Sequence, residues 1–395
     1  MRQIRSCLPS LTATAGVMAS LLTIPAWAVT FTPTNLVTDD QLAHAAQITD
    51  TGLKNAWGMS YAPGGPFWVS SNGGGTIHLY GVSPATQATV QRPLTVSIPG
   101  ESNVTGQVFN STSSFGGNRF LFVSEDGTVS GWRPALGTTG LIPAEKLVSA
   151  SASNVYKGAA LGNIGGHDYL YAANFKAGTV DVHKGDAGTP SLSGSFTDPG
   201  LPSGYAPFNV QNLDGSLYVT YALQNASKDD DVAGAGQGFV DQYTLNGDFV
   251  ARVASGGTLN APWGLAVAPS SFGSAAGDLL VGNFGDGHIN IYDANTHAFL
   301  GQVLDANSHP IVIDGLWALS PGNDTMAGSS HLLYFTAGPN EEAHGLFGVL
   351  TPVPEPSVHA MMLAGLGTLM LLIRRRTLIW NFNEWRNHGA SIMKF

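Results

Sequence analysis

The chain has 395 residues, of which 11% are charged and 50 are glycine. Few charges and many glycines favour a turn-rich, all-β protein over a helical one. The formal net charge of −10 argues against a nucleic-acid partner, because phosphate binding needs a concentrated basic surface. The single cysteine, Cys7, lies in a segment that we expect to be removed, so the predicted mature protein has no disulfide.

The first residues of the chain predict an export signal. Arg2 and Arg5 precede an apolar run from about Leu11 to Ile24, which is followed by Ala26-Trp27-Ala28. A charged start, a short apolar middle and small residues at a cleavage point are typical of a secretory signal peptide. A membrane anchor is the alternative, but the run is short for a bilayer span. We therefore expect residues 1–28 to be a signal peptide.

A motif of three short strands then occurs six times. Its first copy contains Ala56-Trp57-Gly58-Met59, then Phe67-Trp68-Val69-Ser70, then Thr76–Tyr80. The copies align on a glycine of the first strand, replaced once by asparagine, and these positions are Gly58, Gly106, Gly158, Asn209, Gly264 and Gly315. Fourth strands are predicted for some units, at Phe249–Val253, Phe299–Val303 and Leu192–Phe196.

A period of about 50 residues with four strands per unit is typical of β-propeller blades. Glycine fits the innermost strands because their backbones converge around the channel. The sixth unit lacks a fourth strand, and the extended segment Phe31–Val37 is available to complete it and remove an open edge. We predict an all-β, six-bladed propeller over residues 29–350, closed by an N-terminal strand. Two β-sandwiches split near residue 200 are the alternative.

The repeat from about Leu36 to Leu350 resembles the six-bladed propellers of the NHL and SMP-30/gluconolactonase type. The phrases Asn35-Leu36-Val37-Thr38-Asp39 and Asn55-Ala56-Trp57-Gly58 look closest to a family of uncharacterised bacterial exported propellers. This resemblance implies the fold but says little about activity, because one propeller architecture supports many unrelated functions.

A second signal stands near the end of the chain. Val353-Pro354-Glu355-Pro356-Ser357 precedes an apolar run, Val358–Ile373, which ends at Arg374-Arg375-Arg376. An apolar run followed by arginines fits a membrane segment with a cytoplasmic end. Residues 351–376 resemble the PEP-CTERM sorting signal of Gram-negative bacteria that make exopolysaccharide. Residues 377–395 form an atypical tail, either a reading-frame extension or an interfacial segment.

The sorting-signal resemblance implies an exosortase as processing partner and a transient anchor in the inner membrane through the apolar helix. It also implies delivery to the cell surface or extracellular matrix, where exopolysaccharide or envelope components are candidate partners.

Polar residues recur just before the first strands and just after the second strands, two positions that open onto the same face of a propeller. They are Asn55, Asn103, Asn154 and Asn260, and Asn72, Glu125, Asn174, Asn283 and Asn340. Asparagine is favoured in turns, so turn structure is the first interpretation and a ligand or metal site the alternative. The candidate ligand-binding residues are Asn55, Asn72, Asn103, Asn174, Trp57 and Trp263. For the tryptophans, packing between blades is the first interpretation and stacking on a sugar the second.

The same oxygens suit Ca²⁺ or another divalent cation. SMP-30-like lactonases use one oxygen-ligated metal, so the resemblance implies candidate metal ligands at Glu125, Asn154, Asn260 and Asn283. Two acidic segments are also present. We interpret Lys228-Asp229-Asp230-Asp231 as a solvated loop, with calcium chelation as the alternative, and Pro339–His344 as an exposed turn, with a general-base pair as the alternative.

The sequence thus predicts an exported propeller that acts as a binding or interaction scaffold at the cell surface or in the matrix. A metal-dependent hydrolase of the lactonase type at the channel mouth is the alternative, and a purely structural surface protein is a third candidate. No catalytic residue is assigned.

Overall fold

The computed structural model describes residues 29–353 and Met370. The predicted signal peptide, nearly all of the predicted apolar helix and the tail at 377–395 lie outside the described residues. Within the described part, no helix is long and apolar enough to cross a bilayer. Three short 3-10 helices occur there, at Phe115–Gly117, Pro134–Leu136 and Ser270–Ala275.

The other secondary-structure elements of residues 29–353 are β-strands. The first strands in chain order are β1 (Phe31–Thr38), β2 (Ile48–Thr49), β3 (Ala56–Ser60), β4 (Phe67–Ser71), β5 (Thr76–Val82), β6 (Thr89–Ser97), β7 (Val104–Phe109), β8 (Phe120–Ser124), β9 (Val129–Trp132), β10 (Gly140–Pro143), β11 (Glu145–Val148), β12 (Tyr156–Ile164) and β13 (His167–Asn174). The remaining strands are β14 (Thr179–Lys184), β15 (Tyr205–Leu213), β16 (Ser216–Leu223), β17 (Phe239–Thr244), β18 (Phe249–Ser255), β19 (Pro262–Val267), β20 (Leu279–Asn283), β21 (Ile289–Tyr292), β22 (Phe299–Gln302), β23 (Leu316–Pro321), β24 (Leu333–Ala337) and β25 (Leu346–Pro352).

The strands form six sheets, one for each blade. Blade 1 contains β3–β6 with β10 added beside β6, and blade 2 contains β7, β8, β9 and β11. Blade 3 is β12–β14, blade 4 is β15–β18, and blade 5 is β19–β22. Blade 6 joins β23–β25 to β1 and β2. The inner strands β3, β7, β12, β15, β19 and β23 touch in this order, and β23 touches β3, so the ring is closed. The predicted six-bladed propeller is confirmed.

The N-terminal strand closes the ring. β1 pairs antiparallel with β25, with Phe31 opposite Pro352, and a bulge interrupts the register between Asn35 and Val37. The N–H of Val353 donates to the carbonyl of Thr30 at 2.8 Å, so hydrogen bonding continues to the end of the pair. The prediction that this segment completes the last blade is confirmed.

The buried apolar residues form one cluster between each pair of neighbouring blades and one on the axis. Trp68 of blade 1 stacks on Phe120 of blade 2 with ring centroids 3.8 Å apart. Tyr80 of blade 1 stacks on Phe347 of blade 6 at 5.7 Å. Each such side chain contributes about 1.5–3 kcal/mol through burial, so every blade depends on both of its neighbours.

The inner strands approach too closely for side chains at the repeated glycine. A Cβ on Gly106 would lie 2.5 Å from the backbone nitrogen of Ala159, in the next blade. In blade 4 the position belongs to Asn209, whose Nδ2 donates to the carbonyl of Trp263 in blade 5 at 2.7 Å. Glycine at this position is therefore a packing requirement, as the sequence suggests.

The alignment of the sixth unit on Gly315 is wrong. Gly315 lies in the turn before β23 with a φ of +64°. The inner-strand position belongs to Ala318, because the N–H of Ala318 donates to Thr336 Oγ1 at 3.0 Å just as the N–H of Asn209 donates to Thr220 Oγ1 at 3.0 Å. Gly315 is the glycine nearest to this position in the sequence, but the inner strand of this blade has alanine there.

The predicted fourth strand at Leu192–Phe196 is also wrong. The N–H groups of Gly194 and Phe196 donate to the carbonyls of Asn246 and Gly247, at 3.1 and 3.0 Å, in the turn between β17 and β18 of blade 4. Phe196 has a φ of +52°, which an extended strand does not allow. Blade 3 consequently has three strands.

Candidate ligand site at the channel mouth

Polar side chains from several blades meet at one end of the channel, where the loops before the inner strands and after the second strands lie. Lys157, the second residue of β12, is at the centre of this group, and only 2% of its side chain is exposed. Because a lysine is almost never fully buried unless it is paired, the groups that surround Lys157 define the site.

Two carboxylates and an aromatic ring hold the Lys157 ammonium. Its Nζ lies 2.6 Å from Oε1 of Glu125 in blade 2 and 3.4 Å from Oδ1 of Asp230 in blade 4. It also lies 5.1 Å from the ring centroid of Trp57, a cation–π contact. Burial alone would lower the pKa of Lys157, but the charges of Glu125 and Asp230 outweigh it, and the pKa lies above its ordinary value. Lys157 therefore stays protonated.

Two asparagines extend this network to blades 1 and 6. Asn72 donates from Nδ2 to Glu125 Oε2 at 3.2 Å, and Asn55 donates from Nδ2 to Asn72 Oδ1 at 3.4 Å. The Asn55 amide also donates to Glu342 Oε2 at 2.5 Å, while its Oδ1 accepts a hydrogen bond from Trp317 Nε1 at 2.8 Å. These contacts define the Lys157 cluster, which consists of Lys157, Glu125, Asp230, Glu342, Asn55 and Asn72.

The Lys157 cluster contains three carboxyl groups and one ammonium. Burial raises the pKa of Glu342 to about 7, and the nearby charge of Asp230 acts in the same direction. Burial also raises the pKa of Asp231 to about 7, again with a contribution from Asp230. Both acids therefore titrate near neutral pH, as expected when several carboxyl groups share one counter-charge.

Glu342 reaches the cluster from a left-handed turn between β24 and β25. Asn340, Glu341 and Glu342 have φ values of +57°, +52° and +64°, a conformation that costs a non-glycine residue roughly 1–2 kcal/mol. The turn is fixed by hydrogen bonds from the N–H of Asn340 to Asp314 Oδ2 at 2.8 Å and from the N–H of Glu342 to the Gly338 carbonyl at 3.1 Å. Such strain persists where the surroundings enforce it, often at functional sites.

A stack of aromatic rings closes the channel next to the cluster. Trp57 stacks on Trp317 with centroids 3.6 Å apart, and Phe284 stacks on Trp317 at 3.9 Å. Trp263 meets Trp57 and Trp317 edge-on and donates from Nε1 to the Lys157 carbonyl at 3.1 Å. Trp57 and Trp263 are 1% and 4% exposed, so their rings are occupied in packing, the first of the two roles considered from the sequence.

Two of the other predicted residues form a separate group in blade 3. Asn174 donates from Nδ2 to Asn154 Oδ1 at 3.0 Å and to Asp181 Oδ2 at 2.9 Å. Asn154 in turn donates to the hydroxyl of Tyr156 at 3.0 Å. Asn174 Oδ1 also accepts from the N–H of Val155 at 3.2 Å, so these amides organise the loop ends of their own blade.

A third group lies in blade 5. Asn260 and Asn283 both donate to the carboxylate of Asp286, at 3.3 and 3.0 Å. Asn103 is exposed, and its carbonyl accepts the N–H of Glu125 at 3.0 Å, which places it at the edge of the Lys157 cluster.

The four candidate metal ligands are therefore divided among three hydrogen-bond groups. Both oxygens of Glu125 already carry hydrogen bonds, from Lys157 and Asn72. Within residues 29–353, no three His, Cys, Asp or Glu side chains are arranged to hold a metal ion. The Lys157 ammonium and the Asn72 amide thus hold the Glu125 carboxylate, and the arrangement does not present it as a ligand for a divalent cation. A metal at these residues stays a prediction of the sequence.

Sequence reasoning missed Lys157 and underestimated two acidic residues of the cluster, Asp230 and Glu342. The signal for Lys157 is its position on an inner strand between Tyr156 and Gly158, where a charge is unexpected. Asp230 belongs to the segment that we interpreted as a solvated loop, yet it pairs with the buried lysine. Glu342 belongs to the turn that we interpreted as exposed, yet it is half-buried against Asn55.

Residues 352–376 match the family model of the PEP-CTERM protein-sorting motif. The resemblance seen in Pro354-Glu355-Pro356 and the three arginines is thereby confirmed, and the motif indicates export with processing at the membrane.

Two solved structures illustrate the structural similarities. The virginiamycin B lyase of Staphylococcus aureus is 13% identical, with a TM-score of 0.44, and the alignment covers 82% of this chain and all of that one. The periplasmic gluconolactonase of Pseudomonas aeruginosa is 14% identical, with a TM-score of 0.43, and the alignment covers 76% of this chain and 89% of that one.

Two relatives come from Acanthamoeba polyphaga mimivirus. "Uncharacterized protein L690" is 33% identical over 244 residues, which cover 59% of this chain and 61% of the relative. "Uncharacterized protein R648" is 31% identical over 361 residues, which cover 87% of this chain and 86% of the relative. The chain therefore belongs to the same protein family as the mimivirus protein R648.

Proposed function

We propose that the protein is an exported binding protein that an exosortase-type enzyme processes at its C-terminal motif. It then acts as an interaction scaffold at the surface or in the extracellular matrix of a Gram-negative bacterium. The match of residues 352–376 to the sorting motif supports the route, as does the signal-peptide pattern of residues 1–28. The Lys157 cluster is the proposed ligand site.

The chemistry of the cluster favours a ligand that carries an ammonium group. The observation that supports this proposal is the excess of carboxyl groups in the cluster: Glu125 and Asp230 pair with Lys157, and Glu342 contacts Asn55 beside them. Asp230 is 57% exposed and Glu125 24% exposed, so a ligand can reach their oxygens from solvent. A second cation would neutralise the surplus charge, and two unit charges 4 Å apart attract by about 4 kcal/mol at an effective dielectric constant of 20.

A trilysine peptide tests this proposal, with the same peptide acetylated on every side-chain amine as its neutral match. We expect calorimetry on the full-length protein to detect binding of trilysine, to find it weakened by salt, and to find no binding of the acetylated peptide. Glu342→Gln removes a charged acceptor and should weaken trilysine binding by about 10-fold to 100-fold.

The matched control is Glu101→Gln, an exposed carboxylate on a loop before an inner strand, outside the cluster. We expect this variant to bind trilysine as the wild type does. Equal weakening by both substitutions would show attraction to the general negative charge, and equal affinity for the two peptides would show that no ammonium is recognised. Either result overturns the proposed site.

A hydrolase of the lactonase type is the second candidate. The observation in its favour is the pKa of about 7 for Glu342 and Asp231, a value suited to general acid–base catalysis. The test is hydrolysis of γ-butyrolactone from pH 5 to 9, with and without a chelator. An enzyme that uses Glu342 would show a rate transition near pH 7 that Glu342→Gln abolishes, whereas hydrolysis no faster than in buffer removes this candidate.

A further inference from the structure

The far end of the channel opens into a cavity of about 430 Å³, which we name the open cavity. The second halves of the inner strands line it, with residues such as Ser60, Phe109 and Leu161. A smaller cavity of about 290 Å³, between blades 4, 5 and 6, shares Gln211, Asn212 and Ser320 with it. Binding sites for small molecules have about 300–1,000 Å³, so the open cavity is large enough for such a ligand.

The open cavity is closed at its inner end. Its inner end narrows to a space of about 10 Å³ at the ring of inner-strand backbones, where Gly58, Gly106 and Asn209 approach one another. A space of this size holds no more than about one water molecule. The indole of Trp263 borders this constriction, and the aromatic stack lies behind it. A molecule in the open cavity therefore has no path to the Lys157 cluster.

Among residues 29–353, those that line the open cavity include no titratable acid or base other than the Tyr61 hydroxyl. Six of its twelve residues have a polar side chain, namely Ser60, Tyr61, Gln107, Gln211, Asn212 and Ser320. A charged ligand would be buried there without a counter-charge, which is unfavourable. A purely apolar ligand would leave the Gln211 amide without a partner, which is also unfavourable.

The polar groups differ in how many of their hydrogen bonds are already used. Gln107 is committed, because its Nε2 donates to the carbonyls of Gly58 and Trp68 at 2.9 and 3.1 Å. Gln211 is different: it lines the open cavity and both smaller ones, and no hydrogen bond engages its side-chain amide within residues 29–353. This amide offers two donors and one acceptor to a bound molecule.

Apolar surface is present beside these groups. The rings of Tyr61 and Phe109 line the same cavity, and Tyr61 keeps its hydroxyl bonded to the Gly322 carbonyl at 3.3 Å. A pyranose ring carries hydroxyl groups on its edge and C–H groups on its faces, and therefore matches a lining of amides and aromatic rings. We infer that the open cavity is a binding site for a short neutral saccharide, separate from the Lys157 cluster on the opposite side of the channel.

Titration of the full-length protein with maltotriose, cellotriose and laminaritriose tests this inference, with trigalacturonic acid as a charged match. We expect at least one neutral trisaccharide to bind, and the charged one not to bind. Gln211→Ala removes the unengaged amide and should lower the affinity about twofold to tenfold, the effect of one or two neutral hydrogen bonds. Gln211→Glu introduces a charge on a side chain of similar size and should lower the affinity for the trisaccharide further.

The control variant is Glu342→Gln, which alters the Lys157 cluster. It should leave trisaccharide binding unchanged. Loss of binding in Glu342→Gln but not in Gln211→Ala would place the saccharide at the cluster and overturn this inference. No binding of any neutral trisaccharide at 10 mM would overturn it as well. The result is independent of whether trilysine binds, so the two proposals fail separately.

Discussion

The Lys157 ammonium compensates carboxylates that come from two other blades. Lys157→Met keeps most of the apolar stem but leaves Glu125 beside Asp230 without a counter-charge. Breaking a fully buried ion pair costs about 3–5 kcal/mol. Because Asp230 is 57% exposed and can be solvated, we expect a smaller loss of unfolding free energy, roughly 2–3 kcal/mol. Urea unfolding of the wild type and the variant measures it.

The double variant Lys157→Met with Glu125→Gln is the control for this experiment. It removes the uncompensated charge together with the ammonium, so we expect it to be more stable than the single variant. A single variant as stable as the wild type would mean that the pair contributes no net stability.

The raised pKa values of Glu342 and Asp231 predict how stability changes with pH. Each pKa is raised to about 7 from an ordinary value of 4.5 for Glu342 and 3.8 for Asp231. Between the unfolded and the folded pKa, the folded protein holds protons that the unfolded chain has released, so stability falls as the pH rises. The contribution of these protonated carboxyl groups to the free energy of unfolding is fully present at low pH. It is lost once the pH exceeds about 7.

Glu342→Gln removes one of these two titrations. We therefore expect the decrease in unfolding free energy between pH 5 and pH 8 to be smaller in the variant than in the wild type, as measured by urea unfolding at both pH values. The pKa of Asp241 is also raised to about 7 by burial, but Asp241 is present in both proteins and its effect cancels. An identical decrease in the two proteins would contradict the shift assigned to Glu342.

About half of the Lys157 cluster was predictable from single residues. Asn55, Asn72 and Glu125 repeat at fixed places relative to the strands, and the propeller geometry puts such places at one mouth. The pairing of Lys157 was not predictable, because its partners are 32 and 73 residues away in the chain. Spacing tells which end of a blade a residue occupies. It does not tell which long side chains bend inward to reach the axis.

At the scale of strands, the inner glycines allow the blades to pack closely around the channel. A Cβ on Gly106 of β7 would lie 2.5 Å from the nitrogen of Ala159 in β12, and backbone cannot move aside as a flexible side chain can. We expect Gly106→Ala to lower the unfolding free energy by about 1–3 kcal/mol, the usual cost of overpacking. Urea unfolding provides the measurement.

Gly188→Ala is the matched control, because a Cβ at Gly188 meets no atom within 4 Å. It should change stability by less than about 0.5 kcal/mol, as expected for an unconstrained surface position. If the two alanine variants were equally stable, the close approach of β7 and β12 would not limit packing.

The sequence predicts strands correctly where a continuous apolar run marks them. It fails where the conformation or identity of a single residue decides whether a strand forms or how it aligns. The second strand of each of the six repeats occurs, as β4, β8, β13, β16, β20 and β24, because burial by blades on both faces favours apolar residues along the strand. The segment Leu192–Phe196 is apolar only at its two ends, with Ser-Gly-Ser between them. It has a positive φ at Phe196 and forms its hydrogen bonds with blade 4. The sixth inner strand was misaligned because Ala318 replaces the expected glycine.

For the whole molecule, the pairing of β1 with β25 joins the two ends of the described chain. Closing the ring removes the free edge of β25, which would otherwise present unpaired N–H and C=O groups. It also completes two interblade clusters, because Phe31 packs with blade 5 residues and Leu36 with blade 1 residues. The stability of the disc should therefore depend on the presence of β1 and not on its place in the chain.

A circular permutant of residues 29–353 tests whether the disc depends on the presence of β1 or on its position in the chain. An Asn-Gly linker joins Val353 to residue 29, because the Val353 N–H already contacts the Thr30 carbonyl. The new chain ends are placed beside Leu42, which is 99% exposed. We expect the permutant to unfold in one transition, within about 1–2 kcal/mol of the unpermuted 29–353 fragment, because all strand pairs are retained. Deletion of residues 29–38 should instead expose β25, lower the unfolding free energy by several kcal/mol and cause self-association in sedimentation. A deletion variant that stays monomeric and as stable as the fragment would show that the ring holds without its N-terminal strand.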